Sequence, residues 1–334
     1  MILVTGGTGL VGSHLLLQLV QNKEGIRAIY REGSNLKRVT TIFSYYVENS
    51  QELFDKIEWV KADLLDIPAL ELAFLDIEYV YHAAAFISFN PKKYSQLKKV
   101  NVLGTANIVN LCIANRVKKL AYVSTIGTIG RSLKNQEATE ENEWKEDHTN
   151  VYALTKYNAE MEVWRASQEN VPVVIINPGV IIGPGFWESG SGAFFTTANK
   201  GYSYYPPGGT GFIAVMDVVK ILVQLMTLPI QNERFIAVSN NLSFKEILSF
   251  IATNLDRNIP KKELKIWQLQ IGRYVDWLIC LVTKKERRIT KKSIFSLKNR
   301  EIYSSEKIVK TISLEFEDIK KTIDFCSVLY KKER

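Results

Sequence analysis

Three glycines spaced three apart, Gly6, Gly9 and Gly12, lie between a strand-like apolar run and a helix-like apolar run. Few folds use that arrangement. Met1 to Val4 reads as a short buried strand, and Leu15 to Val20 as the apolar body of a helix. Gly6 permits the tight strand-to-helix turn, and Gly9 lets the backbone come close to an anion. Gly12 lets the helix pack closely on the strand. The free N–H groups of the first helical turn, through Leu10 and Val11, then face that anion, which makes the turn a seat for a dinucleotide pyrophosphate. A glycine triplet alone also fits an ordinary tight turn. Here the strand before it and the helix after it supply the context the motif needs.

The chain has 334 residues, enough for one large domain or one domain plus a smaller one. A hydrophobic share of 46% with 23% charged residues is that of a globular protein. Cys112, Cys280 and Cys326 are scattered, and His14, His82 and His148 lack metal-ligand spacing, so neither a disulfide framework nor a metal site is expected. Met1 leads straight into the first strand, and no apolar run approaches the length of a membrane span. The expectation is a cytoplasmic protein that does not bind nucleic acid.

The net charge of +8 is uneven: Lys261 to Arg334 carries 19 Lys and Arg against 10 Asp and Glu. In that tail, Trp277 to Val282 is followed by Lys284, Lys285, Arg287 and Arg288. Such a segment suits weak contact with a membrane surface, or one core helix of a small C-terminal subdomain with a solvated basic face.

Strands and helices alternate through the first half. Gly25 to Tyr30 reads as the second strand, Ile57 to Ala62 as the third and Tyr79 to Ala85 as the fourth; Lys118 to Ser124 reads as the fifth and Val173 onward as the sixth. Pro68 to Leu75 reads as a short helix and Lys92 to Asn115 as a long one. This predicts an α/β fold, a Rossmann-type doubly wound parallel sheet with a smaller C-terminal substrate-binding region. Residues 1–185 form the nucleotide-binding part, its core extended by 212–240. Residues 186–211 and 241–334 form the substrate and lid region, the Gly- and Tyr-rich stretches around Ser189 to Gly192 and Tyr202 to Gly211 serving as lid and hinges.

An acidic residue at the end of the second strand would bind a ribose 2′-hydroxyl and repel a 2′-phosphate. This chain has Arg31 there, with Ser34, Lys37 and Arg38 following. A guanidinium pairs with phosphate through two parallel hydrogen bonds, so NADP(H) is expected over NAD(H). Ala83, Ala84 and Ala85 leave room for the backbone to pass along the cofactor. His82 reads as a packed structural residue.

Tyr152 and Lys156 stand four apart on a helix running to about Gln168 and project from one face. A phenol titrating near pH 10 needs a neighbouring positive charge before it can exchange protons at neutral pH. Ser124 arrives at the C-terminal end of the fifth strand, where ligands bind in open α/β sheets.

Taken in order, the glycine turn, Asn101-Val-Leu-Gly-Thr105, Ser124 and Tyr152/Lys156 resemble the extended short-chain dehydrogenase/reductases, also called the NAD-dependent epimerase/dehydratase family. Arg31, Asn177-Pro178-Gly179 and Gly209 to Ile213 are most similar to the branch of dihydroflavonol reductases, aldehyde reductases and 3β-hydroxysteroid dehydrogenases. The resemblance implies that Tyr152 exchanges the substrate proton and that Lys156 holds the nicotinamide ribose. Ser124 would orient the substrate oxygen, with Asn101 supporting a proton relay. It also implies Asp63 and Leu64 at the adenine, and Pro178, Gly179 and Val180 along the cofactor. Phe212 to Val219 would be a returning strand with Asp217 in an Asp-Val pair, and a homodimer would form through the helices around 92–115 and 151–168. Ser124 is followed by Thr125-Ile126-Gly127 with no acid, which disfavours dehydratase chemistry. The expected activity is reduction of a carbonyl on a small, fairly apolar molecule. The alternatives are an NAD-dependent nucleotide-sugar epimerase and a non-catalytic NADP(H) redox sensor.

Overall fold

The computed structural model describes residues 1–22, 25–131, 136–147, 149–283 and 291–334. The chain opens with β1 (Ile2–Thr5), α1 (Leu10–Asn22) and β2 (Ile26–Tyr30). Next come α2 (Leu36–Ser44), α3 (Ser50–Asp55), β3 (Ile57–Lys61), α4 (Ile67–Ala73) and β4 (Tyr79–His82). The crossover to β5 (Lys119–Val123) contains α5 (Tyr94–Leu97), a π-helical turn (Lys98–Leu103) and α6 (Gly104–Ala114). Then α7 (Val151–Gln168) leads into β6 (Val173–Pro178) and β7 (Val180–Ile182).

The second half runs α8 (Gly192–Asn199), β8 (Tyr204–Tyr205), β9 (Gly209–Ala214), α9 (Val215–Thr227), β10 (Glu233–Ala237) and β11 (Asn240–Ser243). It ends with α10 (Phe244–Asn254), β12 (Lys262–Glu263), α11 (Ile266–Thr283), α12 (Lys291–Lys298), α13 (Glu306–Ile312) and α14 (Ile319–Glu333).

Seven strands form one parallel sheet in the order β10-β6-β5-β4-β1-β2-β3. Side chains alternate across it, so each face has its own core. Val4, Ala28, Ala121 and Ile176 lie under α1 and α9, whereas Leu3, Val80, Leu120, Tyr122 and Ile175 lie under α6 and α7. The sheet is thus doubly wound. Its strand order reverses between β1 and β4, which opens a crevice at their C-terminal ends.

Several local expectations change. The long helix over 92–115 is interrupted by the π-helical turn, because Asn101 reaches back to the backbone of Phe86. The returning strand stops at Ala214. β9 pairs with β11 up to Phe212 and with β7 up to Ala214, and Val215 already begins α9, which packs its apolar side on the core shared with α1. Gly209 to Gly211 belong to that strand rather than to a hinge. Asp217 is buried and accepts the Glu317 N–H at 3.1 Å; burial raises its carboxyl to about 6.

The core-helix reading of the tail fails for α11. Leu269 is buried there, but Trp267, Ile271, Tyr274, Val275 and Trp277 are exposed. Lys284, Lys285, Arg287 and Arg288, like His148, lie outside the described residues. No helix among the described residues is long and apolar enough to cross a membrane.

Candidate active site

The glycine turn is built by close backbone approach. Gly6 has φ +71°, and a Cβ on it would sit 2.6 Å from the Ala84 nitrogen, so only glycine there lets the backbone after β4 pass this close. A Cβ on Gly12 would fall 2.1 Å from the Gly6 carbonyl oxygen, the close helix-on-strand packing expected there. On Gly9 a Cβ would meet only that carbonyl oxygen, at 3.3 Å; its other sides are open. The side chain of Val11 goes into the core, so at Val11 the backbone N–H is what the helix start can offer an anion.

Beside this turn a cavity of about 900 Å³ is lined by Thr8, Arg31, Ser34, Arg38, Lys61 and Asp63, among others. Arg31 is exposed, and the neighbouring Glu32 is paired with Lys61 at 3.3 Å, which draws its charge away from the guanidinium. Asp63 lines the cavity and accepts the Leu65 N–H at 2.9 Å. Leu64 points elsewhere: its side chain is core, packed beneath Gly104, and only its backbone remains for a ligand. Pro178 closes β6, Gly179 passes so near Gly211 that a Cβ would lie 2.5 Å from its carbonyl oxygen, and Val180 opens β7.

On α7, started by the Asn150 side chain accepting the Ala153 N–H, Tyr152, Lys156 and Glu160 recur at four-residue spacing on one face. The half-buried Tyr152 ring meets Phe89 edge-on at 5.7 Å, and among the described residues its hydroxyl has no hydrogen-bond partner. Burial pushes the phenol up to about 12. The protein alone therefore holds Tyr152 as an acid, opposite to the lowering expected from its sequence neighbours. The reason is where Lys156 points: it is 1% exposed, and its ammonium donates to the Tyr122 hydroxyl at 2.5 Å and the Val123 carbonyl at 2.8 Å. Burial draws that ammonium down to about 7, the Glu160 carboxylate opposing the fall.

Ser124 is committed to Glu160, further along the face of α7 that carries Tyr152. Strand alternation puts it with Leu120 and Tyr122 on the α7 side, where its hydroxyl donates to Glu160 at 2.5 Å. Glu160 is fully buried; it also accepts from Thr128 at 2.7 Å and Asn177 at 3.0 Å, and pairs with Arg234 of β10 at 3.4 Å. Arg234 in turn donates to the Glu140 carbonyl, and the Glu140 carboxylate takes the Ile236 N–H at 2.7 Å. The next residue, Thr125, lies on the opposite side of the strand end in extended conformation. Its hydroxyl oxygen accepts the Gly127 N–H at 3.2 Å, which leaves its proton to donate.

Asn101 has no spare donor pointed at a relay. Its side chain accepts the Phe86 N–H at 2.7 Å and donates to the Phe86 carbonyl and to Thr155. It clamps the loop after β4 to α7 between Tyr152 and Lys156. His82 is a packed residue, hydrogen-bonded to Thr5 and Thr105 and stacked on Tyr122; burial lowers it to about 3, so it is neutral.

Sequence reasoning missed Thr125, Tyr122, Glu160 and Arg234. Glu160 could have been found as the next step of the Tyr152–Lys156 spacing. Arg234 carried no such signal, because β10 itself was not read.

A family model described as Male sterility protein, an NAD-binding family, matches residues 4–205. A Synechocystis sp. protein bearing the name of a dihydroflavonol 4-reductase is 26% identical over 329 residues, spanning 96% of this chain and 91% of that protein. Sterol demethylase protein B of Methylococcus capsulatus is 27% identical over 257 residues, 75% of this chain and 73% of its own. The anthocyanidin reductase of Arabidopsis thaliana is 26% identical over 276 residues, 74% of this chain and 78% of its own. The crystal structure of gox2253 superposes with a TM-score of 0.82 at 23% identity, covering 100% of this chain and 98% of that one. UDP-glucose 4-epimerase of Thermotoga maritima superposes at 0.76 with 18% identity, covering 99% of each chain; at such identities these two structures share the fold.

Proposed function

The chain belongs to this NAD-binding family, within the extended short-chain dehydrogenase/reductases, and on that premise we propose that it is an NADP(H)-dependent reductase of a carbonyl on a small, fairly apolar molecule. That it is an NAD(P)-dependent oxidoreductase follows from the family; the direction, the phosphate preference and the residue roles are our reading.

One observation carries that reading: a phenol on the face of α7 shared with Lys156 that is walled by the Phe89 ring and has no hydrogen-bond partner among the described residues. The glycine turn, with Gly9 open and the first-turn N–H groups of α1 beyond it, fits a pyrophosphate, and the cavity lined by Arg31, Arg38 and Asp63 fits the adenosine end. When bound, the cofactor supplies the hydride. Tyr152 gives its proton to the carbonyl oxygen, and Lys156, held by Tyr122 and Val123, has its third N–H left for the nicotinamide ribose. Thr125 takes the orienting role first assigned to Ser124, since among the described residues its hydroxyl proton has no acceptor. Ser124 serves as a strut to Glu160.

The epimerase alternative is less well supported, because Arg31 and Arg38 at the adenosine end suit a 2′-phosphate and the Synechocystis and Arabidopsis relatives carry reductase names. Incubation with NADPH and with NADH against a panel of apolar aldehydes and ketones separates the two. Net NADPH consumption is expected. Tightly held NAD released only on denaturation, with no net consumption, would favour the epimerase.

Two variants test the roles. Arg31→Asp is expected to weaken NADPH binding by about 10- to 100-fold while changing NADH binding little, since it exchanges a charged phosphate hydrogen bond for repulsion. Equal losses for both cofactors in a titration would remove the 2′-phosphate argument. Thr125→Ala is expected to lower kcat by roughly 100-fold, the usual effect of losing one donor to a reacting oxygen. Ser124→Ala should lower the melting temperature more than it lowers kcat; the reverse ranking would restore Ser124 to the site.

A further inference from the structure

Among the described residues of the second half, large exposed apolar side chains are most concentrated on one helix. Trp267, Ile271, Tyr274 and Val275 of α11 stand four, seven and eight residues along from the first, one face of an α-helix, and Trp267 and Tyr274 are 57% and 58% exposed. Ile266 and Trp277 extend the stripe on one shoulder. Leu269, on the other side of the helix, is the residue turned into the body. Other long helices do the opposite: α9 buries Val218, Ile221, Leu222 and Leu225, and α10 buries Ile247, Leu248 and Ile251. A water-facing apolar stripe of this size marks a surface that something else covers.

The surrounding charge identifies what covers it. Lys261, Lys262 and Lys265 are exposed just before α11, and Lys292 and Lys298 are exposed on α12. The Arg273 guanidinium lies 4.8 Å over the Tyr274 ring, bringing a cation to the rim of the stripe. Two tryptophans and a tyrosine bracketed by lysines match the boundary of a lipid headgroup layer, where aromatic rings sit half in hydrocarbon and long cationic side chains reach phosphates. A second copy of this chain on the same face would set lysine cluster against lysine cluster, which opposes docking. No helix among the described residues spans a bilayer, so contact would be in the plane of the surface. We propose that α11 is a membrane-docking helix that lays Trp267, Ile271, Tyr274 and Val275 on an anionic lipid surface.

Cosedimentation of the full chain with vesicles tests this without any need for turnover. Binding to phosphatidylcholine vesicles containing phosphatidylglycerol is expected to exceed binding to phosphatidylcholine alone by at least tenfold and to weaken as salt is raised. The double variant Trp267→Glu/Ile271→Glu should lose at least tenfold of that binding. Its melting temperature and NADPH affinity should match the wild type, because both side chains already face water. A wild type that stays in the supernatant with anionic vesicles, or a double variant that sediments equally well, overturns the proposal. So does a concentration-dependent dimer, seen by light scattering, that the double variant dissolves: a second copy would then cover the face.

Discussion

Replacing Tyr152 with Phe is expected to cut carbonyl reduction by about 100- to 10,000-fold, the range for losing a positioned proton donor, while the dissociation constant for NADPH stays within about twofold. The substitution removes one oxygen from a side chain whose ring packs on Phe89 and whose hydroxyl has no protein partner among the described residues, so nothing in the fold depends on it. Lys156 keeps its bonds to Tyr122 and Val123, and the glycine turn and the Arg31 cavity are untouched. Loss of turnover therefore has to come from loss of the proton. Single-turnover rates and a fluorescence titration of cofactor on the same preparation separate the two quantities. A variant that reduces substrate at the wild-type rate would move the acid elsewhere, and one that no longer binds cofactor would make Tyr152 a binding residue.

What the sequence made legible was whatever is settled within a few residues. The glycine turn works through contacts between β1, the start of α1 and the end of β4, and each partner is fixed by size, so Gly6, Gly12 and Ala84 could be interpreted before the fold was known. The Tyr152–Lys156 pair follows from helical period alone. On the roles proposed above, the strand-end hydroxyl that meets the substrate lies one residue later than Ser124, at Thr125. Counting alternation along β5 from the buried Leu120 and Tyr122 puts Ser124 on the α7 side and Thr125 on the other. The π-helical turn could not be anticipated, because it depends on Asn101 meeting Phe86, fifteen residues earlier. Lys156 was expected beside the phenol. It turns instead to Tyr122 on β5, a contact across two elements that local pattern does not encode. β10 escaped for a related reason: its polar start at Glu233 and Arg234 hides a strand whose arginine is there to meet a buried carboxylate on α7.

That buried carboxylate carries the largest stability effect expected in the molecule. Glu160→Ala should destabilise the protein by about 3–5 kcal/mol, the usual cost of removing one partner from a buried ion pair. The carboxylate is fully buried, and the Arg234 side chain is 21% exposed, so little water reaches the guanidinium to replace it. The Ser124 hydroxyl loses its carboxylate acceptor at the same time, which adds to the cost, whereas Asn177 keeps the Thr128 hydroxyl and the Thr125 carbonyl. Because Ser124 and Thr128 frame the turn that carries Thr125, turnover should fall along with the melting temperature. The counter-variant distinguishes an ion pair from a packing site. In Glu160→Leu/Arg234→Met both charges are gone and apolar volume is retained, so denaturant melts should show less destabilisation than the sum of the two single changes. Additive losses would mean that Glu160 and Arg234 do not act as a pair, and that the support for the strand end comes from Thr128 and Asn177 alone.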